Sequence, residues 1–195
     1  MTFLKLKNRL LFYMLITLLL LSFTPSPISA DEPVKITTVY LVRHAEKQVV
    51  SSGQQMMSAN DPPLTDEGKA RARNLARMLG KADIKTIITS QYLRTKQTAE
   101  PLAESLNLTA IVLPISAAPA DRNKVSEQSI KNIVEKIYQS GGESVLVVGH
   151  TNTLPEVIKM LGGGTIAEIP ETDYDNLFIV TVLGKGKAKI ARMRF

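Results

Sequence analysis

Histidine occurs twice in this chain, at positions 44 and 150. Each ends an apolar, β-favouring run, "TTVYLVRH" and "SVLVVGH", and Arg43 stands directly before the first. A third run of this kind, "TIITS", closes at Ser90, and Arg94 follows at the start of a helix-like segment. These residue types can transfer phosphate. A neutral imidazole nitrogen attacks phosphorus and forms a phosphohistidine, which water then cleaves. Two guanidiniums beside a helix N-terminus make an anion site suited to phosphate. The same positive clamp stabilises charge on the equatorial oxygens during transfer. A second histidine can donate a hydrogen bond to those oxygens. For His44 to attack, its other ring nitrogen must carry the proton and donate it to a carbonyl. Two arginines help by disfavouring the imidazolium. Taken singly, an "RH" pair, a "GH" pair or a helix-start arginine is ordinary strand-end or surface chemistry. Their joint placement behind three strands carries the reading.

The elements that must position these residues alternate. Ile36 to His44, Thr86 to Ser90, Ala110 to Ile115 and Ser144 to His150 read as short apolar strands. Between them, apolar residues recur at i, i+3, i+4 and i+7 in four places, beginning at Ala72, Ala99, Ile130 and Leu154. Each such stretch gives a helix one apolar face. Thr65, followed by Asp66 and Glu67, is the expected N-cap of the first. Alternation with continuous apolar strands predicts an α/β fold, a mostly parallel central sheet with helices on both faces. In such a sheet ligands bind beyond the carboxyl ends of the strands, so the two histidines meet there if their strands are neighbours. The tail differs: Leu177 to Leu183 and Ala188 to Phe195 flank "GKG" and predict a C-terminal β-hairpin at a sheet edge. Two long loops, 48 to 63 and 162 to 176, are expected to shape binding.

Composition narrows the classes. The chain of 195 residues contains no cysteine, which excludes disulfides, thiolate metal sites and cysteine nucleophiles. With both histidines assigned to phosphoryl chemistry, no metal and no cofactor are expected. Residues 1 to 30 have a basic start (Lys5, Lys7, Arg9), an apolar stretch of 14 residues from Leu10 to Phe23, and small residues before Asp31. That is the build of a secretory signal peptide, and the apolar stretch is short of the roughly 20 residues that span a bilayer. The expectation is one catalytic domain, 31 to 195, periplasmic or secreted, without stable membrane insertion after cleavage; an uncleaved signal would be an anchor. The first thirty residues carry three of the 24 basic residues and none of the 18 acidic ones, which leaves +3 on the remainder. That charge is too mild for a nucleic-acid partner and compatible with a small anionic substrate.

Four segments, "LVRHAEK", "PLTDEGKARARNLARML", "IITSQYLRTKQTAEPLAE" and "VLVVGHTNTLPEVIKML", together resemble the histidine phosphatase superfamily, with its phosphoglycerate-mutase-like fold. The resemblance runs from about residue 39 to 161. It implies a three-layer α/β/α sandwich, a phosphorylated histidine at His44, phosphate-binding arginines at Arg43 and Arg94, and a second catalytic histidine at His150. Two departures stand out. Ala45 follows the "RH" pair where the family most often has glycine, and no clear motif marks the acid that protonates the leaving oxygen. Glu127, at a helix start, is the expected acid and Asp121 the next choice; for either, a charge favoured by the helix dipole is the ordinary explanation. Glu46 is expected to order the loop or pair with a basic neighbour. The resemblance implies a metal-independent phosphomonoesterase acting on a small or envelope phosphoester. A phosphohistidine protein phosphatase and a catalytically idle phospholigand-binding module are the alternatives.

Overall fold

A computed structural model describes residues 35–49 and 61–195. The expected signal peptide and most of the 48 to 63 loop lie outside the described residues. Among those described, no helix is long and apolar enough to cross a membrane.

The described residues form eight strands and four helices. The strands are β1 (Thr37–Arg43), β2 (Ile84–Thr89), β3 (Ile111–Val112), β4 (Ala117–Ala118), β5 (Asp121–Val125), β6 (Ser144–Gly149), β7 (Asn176–Gly184) and β8 (Lys187–Arg194). The helices are α1 (Asp66–Leu79), α2 (Leu93–Leu106), α3 (Glu127–Gln139) and α4 (Leu154–Met160). Six strands form one sheet in the order β3-β2-β6-β1-β7-β8, and β4 and β5 pair separately. β3, β2, β6 and β1 are mutually parallel, whereas β7 runs antiparallel to β1 and β8 antiparallel to β7.

Alternation along each strand divides the core into two layers. Val39, Leu41, Val145 and Val147 face α3 and α4 and pack with Ile130, Ile133, Leu154 and Ile158. Val42, Leu146 and Val148 face the other way, onto Leu75 and Leu79 of α1 and Ala99 and Leu102 of α2. The result is the expected α/β/α sandwich with the C-terminal hairpin at one end of the sheet.

Local signals hold where they are strong. Thr65 caps α1, its hydroxyl accepting from the Gly68 amide at 3.0 Å. A side chain at Gly68 would place its Cβ 2.3 Å from the Glu46 carbonyl oxygen, so glycine lets α1 press against the segment that follows His44. Glu46 pairs with Arg71 of α1, whose Nε donates to both carboxylate oxygens at 2.8 and 3.0 Å. This is the ordering role expected of Glu46. The expected strand over Ala110 to Ile115 is reduced to two paired residues. The backbone of Ile115 turns away because the Gln91 side-chain amide takes both its N–H and its C=O, each at 2.9 Å.

Candidate active site

β1 and β6 are neighbours, in a register that sets Arg43 opposite Gly149. Each histidine is the first residue past its strand, and the His44 amide continues the ladder onto the Gly149 carbonyl at 3.0 Å. The rings therefore meet at one rim, centroids 5.3 Å apart and planes inclined at 61°. β2, on the other side of β6, delivers Ser90 to the same rim.

Hydrogen bonds assign the ring protons. His44 Nδ1 lies 2.8 Å from the Ala45 carbonyl. A carbonyl only accepts, so Nδ1 carries the hydrogen and Nε2 keeps its lone pair. For His150 the assignment runs through two hydroxyls. Thr95 Oγ1 donates to the Tyr92 carbonyl at 2.8 Å, so it accepts from Ser90 Oγ at 2.9 Å. Ser90 Oγ in turn accepts from His150 Nε2, also at 2.9 Å, which puts the His150 hydrogen on Nε2.

Both rings are held neutral. Burial, helped by the charges of Arg43, Arg94 and Lys47 and opposed by the bond to Ala45, lowers the His44 pKa from 6.5 to about 3. Burial, then the proximity of His44 and the two arginines, lowers that of His150 to about 2. A consequence for stability follows. Below pH 6.5 the unfolded chain binds protons that the folded rings refuse, so the stability present above that pH is lost as pH falls toward 3. From pH 7 to pH 5 each histidine is expected to cost about 2 kcal/mol. Urea unfolding of the native chain should therefore lose about 4 kcal/mol more over that interval than His44→Ala/His150→Ala does. Parallel losses in the two proteins would contradict the neutral-ring assignment.

The two arginines are held differently. Arg43 is 2% exposed. Its Nη1 donates to the carbonyls of Pro170 and Glu171 at 3.2 and 2.7 Å, and its Nη2 meets the Glu171 carboxylate at 2.5 Å. The guanidinium also stacks 4.2 Å from the Tyr174 ring. Arg94 lies 4.2 Å over the Tyr92 ring, and its closest carboxylate contact is Asp61 at 3.6 Å. Asp61 caps α2 instead, taking the Leu93 amide at 2.8 Å. Neither arginine Nε has a hydrogen-bond partner among the described residues. Buried donors left unpaired are costly, and an anion is the natural complement of two such guanidiniums.

Arg43, His44, Arg94 and His150 all line one cavity of about 260 Å³. Lys47 lines it too. Glu127 and Asp121, the expected acids, do not. The Glu127 carboxylate is exposed and pairs with Lys131 one turn along α3 at 2.7 Å, which also holds its pKa down. It borders an adjoining, larger cavity that shares Lys124, Val125, Thr151 and Asn152 with the first. Asp121 pairs loosely with Lys124 at 3.8 Å. Among the described residues the one carboxylate in the lining is Glu171, from the 162 to 176 loop, which also accepts from the Thr151 hydroxyl at 3.1 Å. Sequence reasoning missed Glu171, Asp61, Tyr92 and Tyr174; the only signals were the length of the two loops and the nearness of Tyr92 to Arg94. Among the described residues no group of three or more His, Asp or Glu side chains is arranged to hold a metal.

Comparison with known proteins agrees with this geometry. Residues 39–115 match the family model of the histidine phosphatase superfamily (branch 1). A curated relative from Serratia proteamaculans, named probable phosphoglycerate mutase GpmB, is 39% identical over 67 residues, which is 34% of this chain and 31% of that protein. The corresponding Photorhabdus laumondii protein is 37% identical over 76 residues, 39% of this chain and 35% of its own. The chain thus spans about a third of the length of these relatives. Among solved structures, the protein histidine phosphatase SixA complexed with tungstate superposes with a TM-score of 0.60 at 23% identity, covering 80% of this chain and 96% of that one. The alpha-ribazole phosphatase from Shigella flexneri does so with a TM-score of 0.60 at 15% identity, covering 81% and 96%. The match to the histidine phosphatase superfamily is confined to residues 39–115, and the solved structures share the fold of the described domain.

Proposed function

We propose that the protein is a metal-independent phosphomonoesterase that works through a phosphohistidine at His44. The observation that carries this reading is the His44 ring itself: its Nδ1 hydrogen is tied to Ala45, so its Nε2 lone pair is free in a cavity lined by two arginines. The substrate phosphate takes the place of the Glu171 carboxylate on Arg43 Nη2 and bridges to Arg94. The His44 Nε2 lone pair forms the P–N bond as the ester P–O bond breaks. As the dianion binds, His150 takes a second proton from solvent and holds an equatorial oxygen through Nδ1–H, while Nε2–H stays on Ser90. Water then attacks phosphorus, the P–N bond breaks, and His44 returns neutral with release of phosphate.

The leaving oxygen needs a proton, and Glu171 is the carboxyl group in the lining that can supply it. In the second step its carboxylate takes the proton of the attacking water. Glu171→Gln is expected to slow hydrolysis of an alkyl phosphate by about 10²–10³ and of p-nitrophenyl phosphate by less than about tenfold, because a good leaving group needs little protonation. Glu127→Gln should leave both rates within about twofold. The reverse pattern would return the acid role to Glu127. A phosphohistidine side chain as substrate is the second reading, favoured by the engagement of that single carboxylate with Arg43. On that reading Glu171→Gln slows neither ester, and phosphohistidine is turned over faster than both. A phospholigand-binding module would turn over none of them.

A further inference from the structure

Two buried threonines of α2, Thr95 and Thr98, stand behind the two histidines. Their spacing sets both on one helical face. Each commits its hydroxyl hydrogen to its own helix, Thr95 to the Tyr92 carbonyl at 2.8 Å and Thr98 to the Arg94 carbonyl at 2.7 Å. Such back-bonding is ordinary for a threonine in a helix, but here it has a direction. A hydroxyl has one hydrogen and two lone pairs, so toward the sheet rim each threonine can only accept. Thr98 accepts from the Ala45 amide at 2.9 Å, a group that can only donate. Thr95 accepts from Ser90 Oγ at 2.9 Å, a group that can do either.

Among the described residues the Ser90 hydrogen has two places to go, Thr95 Oγ1 and His150 Nε2, each at 2.9 Å. Because Thr95 takes it, Ser90 accepts from His150 Nε2–H, and His150 Nδ1 keeps a lone pair. Without that acceptor, Ser90 would donate to Nε2 and the ring hydrogen would move to Nδ1. A bare Nδ1 repels a phosphoryl oxygen unless a proton lies between them. The empty site does not hold that proton: burial, then His44, Arg94, Arg43 and Lys47 disfavour the imidazolium. Tyr92, edge-on at 5.4 Å, and Glu171 in the cavity lining also face the ring. Glu171 alone would favour the cation, and it bonds to Arg43 and Thr151 instead.

We propose that Thr95 is a positioning residue that fixes His150 as its Nε2–H tautomer through Ser90, so that the site takes up its anion together with one proton, shared between His150 Nδ1 and a phosphoryl oxygen. The proposal rests on the phosphatase reading for the identity of the anion and goes beyond it in the role of Thr95. Solvent or the monoanionic ester supplies the proton, and it leaves with the released phosphate.

The chain has two histidines, so labelling with ¹⁵N-histidine gives two rings whose nitrogen shifts in NMR distinguish the tautomers, and His150→Ala assigns them. The ligand-free protein should show His44 as Nδ1–H and His150 as Nε2–H. In Thr95→Val, which keeps the side-chain shape, His150 should become Nδ1–H while His44 stays unchanged. The Tyr92 carbonyl retains the amides of residue 95 and Lys96, so the start of α2 should hold. Thr95→Ser should restore the native pattern. Thr98→Val removes a hydroxyl that is also buried and should leave both tautomers as they are, whereas a purely structural role for Thr95 would make the two valine variants alike. Tungstate, a tetrahedral dianion above neutral pH, gives the second readout. Its dissociation constant should rise about tenfold per pH unit between about pH 7 and 9 in the native protein, the slope of one proton bound, and less than about twofold per unit in Thr95→Val and in His150→Ala.

A native His150 found as Nδ1–H, or an Nε2–H ring that survives Thr95→Val, would overturn the proposal. A flat pH dependence of tungstate binding in the native protein would overturn it as well. If Thr95→Val does not fold, the native tautomers and the native slope decide it, and failure of either overturns it. If tungstate does not bind at all, the anion site and the phosphatase reading fail instead, and the tautomers alone decide the role of Thr95.

Discussion

His44→Ala is expected to lower turnover of any phosphoester by about 10⁴–10⁶, the loss that follows removal of a nucleophile when the rest of a site is intact. The expectation depends on that site surviving the substitution. The backbone contacts of residue 44 belong to the sheet: its amide bonds to Gly149, and the next amide bonds to Thr98 Oγ1 at 2.9 Å. Neither requires the imidazole. Among the described residues the ring itself makes one hydrogen bond, to the carbonyl of its neighbour Ala45. Removing it enlarges a cavity already open to solvent and leaves no distant partner stranded. Unfolding at pH 7 should therefore change little while activity is lost. Residual turnover within about a hundredfold of the native rate would mean that another group attacks phosphorus.

Arg94→Ala is expected to lower kcat/KM by about 10³, the lower range for arginines that stabilise a transferring phosphoryl group. Arg94 is the better test of the clamp because it is the less entangled arginine. Arg43 supports the 162 to 176 loop through the carbonyls of Pro170 and Glu171, so its removal would disturb structure and chemistry together. Arg94 touches Asp61 only at 3.6 Å and otherwise rests on the Tyr92 ring. Its fold contribution is correspondingly small, and α2 keeps its cap because Asp61 binds the Leu93 amide. Arg94→Lys should recover no more than about tenfold, since an ammonium supplies a point charge without the planar fork that matches phosphate oxygens. A loss in Arg94→Ala smaller than about tenfold, measured with p-nitrophenyl phosphate, would remove Arg94 from the phosphate site.

The division between what the sequence revealed and what it concealed is physical. Arg43, His44 and His150 were legible because their positions are set by the sheet: a residue one step past a buried strand must emerge at its carboxyl end, and parallel neighbours emerge at the same rim. Arg94 was legible because it begins a helix directly after such a strand. Glu171 was not. It reaches Arg43 across a separation of 128 residues, from a loop with no periodicity to read. Asp61 likewise caps a helix that begins 32 residues later. The β4–β5 hairpin escaped because "DRNKV" carries no apolar alternation; its pairing is held by Gln91, Asn152 and three serine hydroxyls rather than by a buried face. Glu127 shows the limit of such reading. Its place at the start of α3 was legible, but its pairing with Lys131, one turn ahead, and its absence from the lining of the histidine cavity were not. The shortened β3 has the same origin, a side-chain amide replacing the neighbouring strand as hydrogen-bond partner.

The most direct test of the phosphohistidine at His44 is to find it. The purified protein, mixed with ³²P-labelled phosphoester and quenched within milliseconds, should carry label that survives alkali and is released by acid. Peptide mapping should locate it on the segment containing His44. The label should be absent from His44→Ala and should still form, more slowly, in His150→Ala. Label that resists acid and sits on a serine or threonine, or label found on the peptide of His150 alone, would contradict the account.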